Sequence, residues 1–581
     1  MDNIYLDTVR HSLAHVLAWA VCDVFSDVRL GIGPPVDNGF YYDFDLPHTI
    51  TEADFAAIEA RMNEIIRGDF QFIVKKITNY EEFFANQPYK LELIEELRAE
   101  GEEITAYELG DFVDLCAGPH VESTRELRNW GFKIGSIAGA YWRGDSGRQM
   151  LQRVYVHAFP SRKELKQYYQ FLEEAKKRDH RVLGPALDLF FFDETAPGMP
   201  YWLPKGLKIY NLLLNFSRKV HEARGYHEMA GPQLNSGTLW ETSGHWEHYR
   251  ENMYIFEQEN YALALKPMNC PNAIKAYARK NRSYRDLPLR FMDTSVLHRK
   301  EASGTFHGLL RVQSFRQDDS HNFITFEQIS EEINEILDIT DYLYGVFGLS
   351  SRAVLSTRPE EGFLGDIADW DKAEGELKQV LQARYGDDNF SVDEGGGAFY
   401  GPKIDIKVHD SLKREWQLAT IQLDFQLAGK FGAEYTDSDG KRKTPVLIHR
   451  ALFGSLERFI GVLIEHFAAK FPFWLSANQI GIVPVHKEHE AYAAGIKARL
   501  DAEGFRVNID TSDGTMGNKI KSYRNELTPY IIILGDKEAA EGTISLRTRS
   551  GTQINNIPLE SFIAACRGME GEYSLELVEE L

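Results

Sequence analysis

The sequence predicts a multidomain chain of mixed α+β and α/β architecture. Its 581 residues amount to about four domains at roughly 150 residues each. Helical periodicity and strand-like runs alternate along the chain around glycine and proline turns. Apolar residues make up 43% and aromatic residues 12% of the chain, which is enough for several packed cores and argues against disorder.

The pattern divides the chain into four parts. Residues 1–160 mix helix and strand signals, which predicts an α+β domain. Residues 161–185 place apolar side chains at helical spacing after a serine N-cap, and so predict one linker helix. Residues 186–475 alternate long helices with β-rich runs and form the largest predicted domain. Residues 476–581 alternate short β runs such as QIGIVPV and YIIILG with helices, which predicts a small α/β domain with a mainly parallel sheet.

Charge and cysteine content exclude several classes of protein. The chain carries 65 Lys and Arg against 87 Asp and Glu, a formal net charge of −22, which argues against a sequence-independent DNA coater. The net charge does not exclude an enzyme that acts on RNA and carries its basic groups on one face. The four cysteines lie far apart in the sequence and show no paired spacing. This excludes a disulfide scaffold and favours a reducing cytoplasm. The apolar stretches are short and interrupted by charge, so neither a membrane span nor a signal peptide is predicted.

Two histidines and a later cysteine–histidine pair form a first group of candidate residues. His11 and His15 are four residues apart, on one face of a predicted helix, and Cys116 and His120 repeat this spacing in DLCAGPH. Either pair alone is more typical of a core or a helix surface. Together they could form a metal cage or a hydrolytic pocket.

A second group comes from three distant segments. PMNCPNA contributes Cys270, QDDSH contributes His321 and LIHRALFGSLER contributes His449. One thiolate and two imidazoles suit Zn²⁺ and leave one coordination position open, as in catalytic zinc sites. Because the residues are not local, spacing alone favours a buried cysteine and two ordinary histidines.

The segments around both groups resemble the threonyl-tRNA synthetase family of class II aminoacyl-tRNA synthetases over nearly the whole chain. A helix running into Gly231-Pro232 is similar to motif 1, FMDTSVLHRKEASGTFHGLLRVQSFRQDDSH to motif 2 and GSLERFIGVLIEHF to motif 3. HxxxH followed by IGPPVDNGFYYDF and CxxxH resembles the editing domain shared by threonyl and alanyl enzymes. The segments HRALFGSLER, PMNCPNA and AFYGPKIDI match the threonyl type.

The resemblance implies an antiparallel-sheet class II catalytic core, an N-terminal α+β editing domain and a C-terminal α/β anticodon-binding domain. It implies ATP-dependent attachment of L-threonine to tRNA(Thr) and hydrolysis of Ser-tRNA(Thr). One Zn²⁺ per chain, Mg²⁺ with ATP, a homodimer built through motif 1 and a cytoplasmic location are expected, without DNA or membrane partners. Family members commonly begin with a ubiquitin-like domain, and this chain starts a few residues before HSLAH, so that domain is expected to be missing.

The resemblance also implies individual site residues. Guanidinium groups would hold the ATP phosphates, because they stay charged and match phosphate oxygens bidentately. Glu301 and Phe315 would hold adenine, and His245 would help deprotonate the tRNA ribose. The run Phe40-Tyr41-Tyr42 as a whole is expected to line the editing pocket, and none of its three residues is assigned a role of its own. The full set is, for catalysis, Arg299, Arg458, His245 and Lys403; for ATP, Arg299, Glu301, Arg311, Phe315 and Arg458; for threonine, Asp319, Tyr400, Gln317, Gln417 and Gln422; for zinc, Cys270, His321 and His449; for editing, His11, His15, Cys116, His120 and Asp114; and for the anticodon, Glu538, Arg547 and Arg549.

An open zinc position would explain selection among similar amino acids. An apolar pocket separates threonine from valine poorly, whereas a metal and the carboxylate of Asp319 can require a hydroxyl group. Serine keeps that hydroxyl, so a second, hydrolytic site is needed. Two alternatives are a regulatory protein that binds threonine or RNA, and a stand-alone editing hydrolase. The complete set of motif arginines and zinc ligands argues against the first, and the complete class II core argues against the second.

Overall fold

The computed structural model describes residues 3–77, 79–302 and 304–580. The chain divides into two compact units, residues 1–174 and residues 175–581. Within the described ranges, no helix combines the length and the apolar character that a bilayer span requires.

The first unit places a long helix on an antiparallel sheet. The sheet has the strand order β1-β3-β8-β7, with β2 on β3, and a second sheet has the order β4-β5-β6. Its helices are α1 (Asn3–Val24), α2 (Phe55–Arg67), α3 (Tyr80–Phe83), α4 (Pro88–Glu100) and most of α5 (Arg162–Arg178). Its strands are β1 (Arg29–Leu30), β2 (Pro35–Val36), β3 (Gly39–Asp45), β4 (Phe72–Lys76), β5 (Thr105–Leu109), β6 (Phe112–Leu115), β7 (Gly131–Tyr141) and β8 (Met150–Phe159).

The core of this unit explains the sequence of β3. Phe40, Tyr42 and Phe44 are buried at alternate positions and face the same core as Leu13 and Leu17 of α1. Successive strand side chains point to opposite faces of a sheet, so the residues between them leave that core. One apolar face of α1 and one face of β3 therefore hold the first unit together.

The predicted linker helix is two helices. Helix α5 ends at Arg178, and α6 (His180–Ala186) begins after Asp179, whose side chain accepts a hydrogen bond from the backbone N–H of Arg181. An aspartate in this role satisfies a free N–H group at the start of a helix and has non-helical backbone angles itself. The prediction of one continuous helix is therefore wrong at Asp179.

The second unit contains an eight-stranded sheet in the order β11-β16-β19-β26-β23-β22-β20-β21. The pairs at both ends are parallel and the inner pairs antiparallel. The strands are β9 (Phe190–Phe191), β10 (Tyr201–Trp202), β11 (Tyr226–Met229), β12 (Leu234–Ser236), β13 (Ile255–Glu257), β14 (Ala262–Leu265), β15 (Arg282–Ser283), β16 (Leu289–Asp293), β17 (Leu297–His298), β18 (Ser314–Phe315), β19 (Asp319–Ile324), β20 (Ser350–Ser356), β21 (Ser391–Asp393), β22 (Lys403–His409), β23 (Glu415–Asp424), β24 (Tyr435–Thr436), β25 (Arg442–Lys443) and β26 (Val446–Ala451).

Helices cover one face of this sheet and leave the other face for a site. Apolar residues of α7, α11 and α14 pack with those of the central strands in one large core. Helix α7 begins with Pro204, which suits the first turn of a helix because the N–H it lacks would have no partner there. The helices are α7 (Pro204–Glu222), α8 (Gly237–Ser243), α9 (His245–His248), α10 (Cys270–Ala278), α11 (Ile329–Val346), α12 (Ile367–Tyr385), α13 (Leu427–Lys430) and α14 (Leu456–His466).

The C-terminal sheet is mixed rather than mainly parallel. Its order is β28-β27-β29-β30-β31, with two parallel pairs followed by two antiparallel pairs. The segment between β29 and β30 holds only the short helix α17, and a parallel crossover needs a dozen residues or more. The elements are β27 (Ile480–Pro484), α15 (Glu490–Ala502), β28 (Val507–Ile509), α16 (Met516–Asn525), β29 (Tyr530–Leu534), α17 (Asp536–Glu541), β30 (Thr543–Thr548), β31 (Gln553–Pro558) and α18 (Leu559–Gly571).

A buried ion pair ties the central strand β26 to the residue before β19. Asp318 and Arg450 lie 3.6 Å apart with both side chains fully buried, and Asp318 also accepts the backbone N–H groups of Leu452 and Phe453. We expect Asp318→Ala to lower the free energy of unfolding by about 3–5 kcal/mol, because it leaves a buried guanidinium without its counter-ion. Asp318→Asn keeps an acceptor for the backbone and should cost less. Urea unfolding measures both; equal losses, or a loss below about 1 kcal/mol for alanine, would contradict this account.

Candidate active site and editing pocket

A single row of side chains crosses four neighbouring strands of the large sheet. In the antiparallel register Lys403 lies opposite Gln422, Gln422 opposite His449, and His449 opposite His321. Residues paired in this way across a sheet share one face. The rings of His321 and His449 are therefore adjacent, with 5.0 Å between their centroids. Residues that are up to 128 positions apart in the sequence meet because of strand register alone.

Cys270, the first residue of α10, completes a group of three with these histidines. One ligand atom from each of Cys270, His321 and His449 lies within 4.8 Å of the others, and all three residues are buried. Asp424 contacts His449 Nε2 at 2.9 Å, which fixes the ring and leaves its other nitrogen for a ligand. His321 Nδ1 has no hydrogen-bond partner among the described residues.

This donor set fits Zn²⁺. Burial raises the pKa of the Cys270 thiol well above its usual range, so a thiolate at this position needs a neighbouring cation. Two imidazoles and one sulfur leave a fourth, open position on a tetrahedral metal. A carboxylate behind one of the histidines is the usual support for such a ligand.

The group lies at the base of a cavity of about 280 Å³. Most residues predicted to hold threonine line this cavity, and several that the sequence analysis did not name lie beside them. The lining is formed by Tyr249, Met268, Asn269, Cys270, Arg299, Gln317, Asp319, His321, Tyr400, Lys403, Thr420, Gln422, His449, Arg450 and Ala451.

Gln417 is the predicted threonine residue that the cavity does not include. It lies on the same strand as Gln422 but is exposed, several residues nearer the strand end. A bulge interrupts the register between Ile406 and Lys407, where β23 has one extra residue, Leu418. The expectation that Gln417 lines the threonine pocket is corrected: only the second glutamine of WQLATIQ does so.

Polar contacts fix the side chains around the cavity. Asn269 donates a hydrogen bond to Asp319 Oδ2 at 2.9 Å. Burial raises the pKa of Asp319 to about 7, although the bond from Asn269 works in the opposite direction. Tyr400 donates to Gln422 Oε1, and Lys403 forms an ion pair with Asp405. Asn269 could have been found from the sequence, since it precedes Cys270 directly in PMNCPNA.

Two motif arginines, Arg311 and Arg458, lie near enough to each other to interact electrostatically. Arg311 forms an ion pair with Glu301 at 2.8 Å. Arg458 is largely buried, and its Nε has no hydrogen-bond partner in the part of the chain that the structure describes. Burial, together with the charge of Arg311, lowers the pKa of Arg458. Neighbouring guanidinium groups of this kind match the oxygens of a polyanion in charge and geometry.

Arg299, the third motif arginine, lines the cavity itself. Its guanidinium lies 5.1 Å from the ring of Phe315 and 5.8 Å from that of Tyr249, and its Nε donates to the carbonyl of Pro267. Cation–π contacts of this kind hold a guanidinium flat while its remaining N–H groups stay available. The side chain therefore presents donors towards the cavity that it lines.

His245 lies behind the cavity rather than on its surface. The side chain is fully buried, with Nδ1 2.7 Å from Ser243 Oγ and Nε2 2.9 Å from Met268 Sδ. Burial lowers the pKa of His245 to about 3, so the ring is neutral at neutral pH. Its Nε2 is 4.0 Å from Cys270 Sγ. The ring of His245 is thus enclosed by Ser243, Met268 and Cys270, and its expected role towards the tRNA ribose stays a prediction.

The first unit brings the other predicted group together. His11 and His15 lie on α1, and Cys116 and His120 lie after β6; one ligand atom from each is within 4.8 Å of the others. Cys116 Sγ lies 3.3 Å from His11 Nε2 and 3.3 Å from His120 Nε2. All but His120 border a cavity of about 560 Å³, which Asp114 and Tyr42 also line. The two histidines of α1 and the two residues that follow β6 therefore meet at one pocket.

The ionisable groups of this pocket are held neutral apart from one ion pair. Burial lowers the pKa values of His11 and His15 and raises that of Cys116 to about 11. Asp114 instead forms an ion pair with Lys90 at 2.6 Å, buried on both sides. Lys90 was missed in the sequence because a lysine on a surface-like helix, KLELIEELR, gives no sign of burial.

The aromatic run contributes one residue to the pocket and not three. Tyr42 lines it and donates a hydrogen bond to Asp114. Phe40 is buried in the core of the unit, and Tyr41 faces the opposite side of β3, where Arg153 lies 3.9 Å above its ring. The expectation for Phe40 and Tyr41 is therefore corrected, and strand alternation is the reason for Tyr41.

The three anticodon candidates lie in different surroundings. Glu538 caps α17, accepting from the backbone N–H of Gly535 and from Ser545. Arg549 donates to the carbonyl of Phe471, and burial lowers its pKa to about 10. Arg547 is half-buried on β30. The contacts of Arg549 are internal to the chain.

The fold and the two sites define a class II aminoacyl-tRNA synthetase with an editing domain. The "tRNA synthetase class II core domain (G, H, P, S and T)" matches residues 254–467 and the "Anticodon binding domain" matches residues 479–569. The "Threonyl and Alanyl tRNA synthetase second additional domain" matches residues 104–155. The predicted antiparallel catalytic core and its two accompanying domains are confirmed.

Similar proteins give the particular family. A threonine–tRNA ligase of Thermotoga petrophila is 49% identical over 577 residues, which cover 98% of this chain and 89% of the relative. One of Petrotoga mobilis is 47% identical over 582 residues, covering 99% and 90%. The crystal structure titled as the RNA binding domain of threonyl-tRNA synthetase from Cryptosporidium parvum aligns with a TM-score of 0.65 and 42% identity, over 67% of this chain and 98% of its own. The chain belongs to the threonine–tRNA ligase family, as the sequence predicted.

Proposed function

We propose that this chain attaches L-threonine to tRNA(Thr) with consumption of ATP, and hydrolyses Ser-tRNA(Thr) in its first unit. The observation that carries the proposal is the group of Cys270, His321 and His449 at the base of a cavity that also contains Arg299. A metal-binding group beside a fixed cation suits an amino acid whose carboxylate attacks the α-phosphate of ATP. The products of the first step are threonyl-adenylate and pyrophosphate.

Different arginines would contact different parts of the ATP molecule. Arg299 would contact the α-phosphate and the threonine carboxylate, and Arg311 and Arg458 the rest of the triphosphate, accompanied by Mg²⁺. Fixed guanidinium groups stabilise the charge that develops during phosphoryl-group chemistry without reorganising. Phe315 and Glu301 would hold adenine, with Glu301 exchanging its present contact with Arg311 for one with the base. His245 stays a prediction for the transfer step.

Threonine would be selected by polar contacts that valine cannot make. Zinc, when bound, supplies a Lewis acid for the amino and hydroxyl groups of the substrate. Asp319, buried and held by Asn269, would accept a hydrogen bond from the hydroxyl. Valine would leave that buried carboxylate with the bond from Asn269 and without the bond from a substrate hydroxyl, and a missing buried hydrogen bond discriminates more strongly than an absent methyl group. Serine satisfies the carboxylate and loses only the methyl contact, so it would be activated too.

The two glutamines of WQLATIQ should differ in their effect on threonine binding. Gln422 lines the cavity and bonds to Tyr400, whereas Gln417 is exposed outside it. We expect Gln422→Ala to raise the KM for threonine about tenfold, which is the loss of one or two buried hydrogen bonds. Gln417→Ala, the matched control, should leave that KM within about twofold. Steady-state ATP–pyrophosphate exchange measures both; equal effects would place the pocket elsewhere.

The test of the whole proposal is amino-acid-dependent ATP–pyrophosphate exchange with threonine, serine and valine, together with a zinc assay of the purified chain. Strong exchange with threonine, weaker with serine and none with valine in zinc-loaded protein is the expected result. No threonine-dependent exchange in folded, zinc-loaded protein would refute it and favour a regulatory protein that binds threonine or RNA.

The editing reaction would use the neutral groups of the first unit. An imidazole that is neutral at pH 7 can accept a proton from the water that attacks the ester of Ser-tRNA. His11 Nε2 and His120 Nε2 each lie 3.3 Å from Cys116 Sγ, and these imidazoles would orient that water or the seryl group. Lys90 and Asp114 would hold the pocket in shape, since both are buried and paired. The same four residues also have the donor types of a metal cage, and a zinc assay of editing-deficient variants separates the two functions.

The remaining partners follow from the same assignment. The C-terminal domain would bind the anticodon of tRNA(Thr), with Glu538, Arg547 and Arg549 as candidates. Motif 1 would form a homodimer: β9 and β10, which precede α7, expose the stacked pair Phe191 and Tyr201. Sedimentation at low concentration tests this, and a monomer would contradict it. Four free cysteines suit a reducing cytoplasm.

A further inference from the structure

His180, the first residue of α6, is fully buried and makes three hydrogen bonds. Its Nδ1 lies 2.6 Å from Glu465 Oε1, and its backbone N–H donates to the same oxygen at 3.2 Å. The backbone N–H of Leu309 donates to Nε2 at 3.0 Å. Because Nε2 accepts the hydrogen bond from Leu309, the ring carries its proton on Nδ1, which donates a hydrogen bond to Glu465.

The partners of His180 belong to the two segments that carry the ATP arginines. Glu465 lies near the end of α14, seven residues after Arg458 and therefore on the same side of the helix. Leu309 lies two residues before Arg311. The imidazole thus bridges the helix that bears one arginine and the chain segment that bears the other.

The segment before Arg311 is packed tightly against this ring. A Cβ atom on Gly308 would come within 2.2 Å of His180 Nε2, so no larger residue fits there without movement. Gly308 also has a φ of +53°, in the left-handed region that favours glycine. On the other side, a Cβ on Gly461 of α14 would meet Leu309 Cβ at 3.2 Å. The backbone at Leu309 is therefore held between α6 and α14.

The acceptor on α14 is itself fixed and charged. Arg414 lies 2.6 Å from the second oxygen of Glu465. Burial works to raise the pKa of Glu465, but the hydrogen bonds from the side chain and backbone of His180 and the charge of Arg414 hold it below its usual range. The carboxylate is 3% exposed and accepts two hydrogen bonds from His180, so it cannot move without breaking both.

We propose that His180 is a positioning residue for ATP. It holds the backbone at Leu309 at a fixed distance from α14, so that Arg311 and Arg458 meet the triphosphate together. The inference rests on the proposed function, because it assumes that both arginines contact ATP. Without the imidazole, the buried N–H of Leu309 loses its acceptor, and the segment relaxes away from the helix or recruits water.

Two substitutions separate the two bonds of the ring. His180→Gln can place an amide oxygen near the Nε2 position and so accept from Leu309. His180→Asn can place an amide nitrogen near the Nδ1 position and donate to Glu465, but it is too short to reach Leu309. We expect His180→Asn to raise the KM for ATP about tenfold in threonine-dependent ATP–pyrophosphate exchange, with the KM for threonine within about twofold of the original. His180→Gln should keep the KM for ATP within about twofold.

Three results would contradict the positioning role of His180. Equal effects of the two variants, an unchanged KM for ATP in His180→Asn, or a parallel rise in the KM for threonine would overturn the positioning role. Should either variant fail to fold, Gly308→Ala decides the question, because it displaces the same segment while keeping the imidazole. An unchanged KM for ATP in Gly308→Ala refutes the inference. If the unsubstituted chain shows no exchange, the proposed function fails instead, so the two failures are distinct.

Discussion

Cys270→Ser should remove zinc from the chain and lower threonine-dependent ATP–pyrophosphate exchange at least a hundredfold. The sulfur is buried beside His321 and His449, and a hydroxyl at this position is a far weaker ligand for Zn²⁺ than a thiolate. Substituting a residue that merely supports a ligand already costs about 10–100-fold, so loss of a direct ligand should cost more. His449→Ala should act in the same way. Zinc per chain by atomic emission and exchange with threonine are the two measurements.

A matched control exists in the same unit. Cys566 is also fully buried, in the C-terminal domain, and burial likewise raises the pKa of its thiol. Cys566→Ser makes the same chemical change away from the cavity, and it should leave zinc content and the KM for threonine unchanged. Full exchange by Cys270→Ser in metal-free protein would show that zinc has no part in threonine binding. Equal zinc loss in both variants would show that the metal is bound elsewhere.

The second large effect is expected in the first unit. The double substitution Cys116→Ala and His11→Ala should slow hydrolysis of Ser-tRNA(Thr) by about 10²–10⁴-fold, the range that a positioned acid–base group supplies. The two side chains lie 3.3 Å apart in a pocket that contains no residue of the ATP site. Charging with threonine should therefore stay within about twofold of the unsubstituted rate. Deacylation of pre-formed Ser-tRNA(Thr) and threonine charging are measured in parallel.

Cys22→Ala serves as the control for this experiment. Cys22 is on the same helix as His11, is partly exposed, and has a thiol whose pKa burial raises to about 12, but it does not line the pocket. It should hydrolyse Ser-tRNA(Thr) at the unsubstituted rate. Normal clearance by the double variant would remove the editing role from Cys116 and His11. A fall in threonine charging would show instead that the substitutions act on the fold.

Most residues of the candidate site can be predicted from the sequence because they lie in contiguous motifs. Cys270, His321 and His449 were assigned together from three segments, and the sheet register places two of them directly opposite each other. Asp319 and Gln422 were assigned in the same way and line the same cavity. A motif preserves the order of residues within a strand, so it also carries information about which side chains share a face.

Gln417 and Tyr41 were each expected in a pocket that they do not line, and Lys90, which lines a pocket, was missed. Gln417 pairs with Lys407 whereas Gln422 pairs with Lys403, so Gln417 lies four residues further along the sheet and outside the pocket, and Tyr41 leaves the editing pocket because it alternates with Tyr42 on one strand. Lys90 was missed because its burial depends on Asp114, which comes from another part of the chain. For Lys90 the decisive fact is a relation between segments, whereas for Gln417 and Tyr41 it is the position of the side chain along one strand.

The sequence by itself determined the family, the three functional domains and the chemical types that meet in each site, because these follow from residue identity and local spacing. Only the tertiary structure decided which side chains reach a cavity and which lie behind it, as for Gln417 and His245. It also decided that His180 joins the segment before Arg311 to α14. Burial and hydrogen bonding between residues more than a hundred positions apart are set by how sheets and helices pack, and local spacing carries no record of that packing.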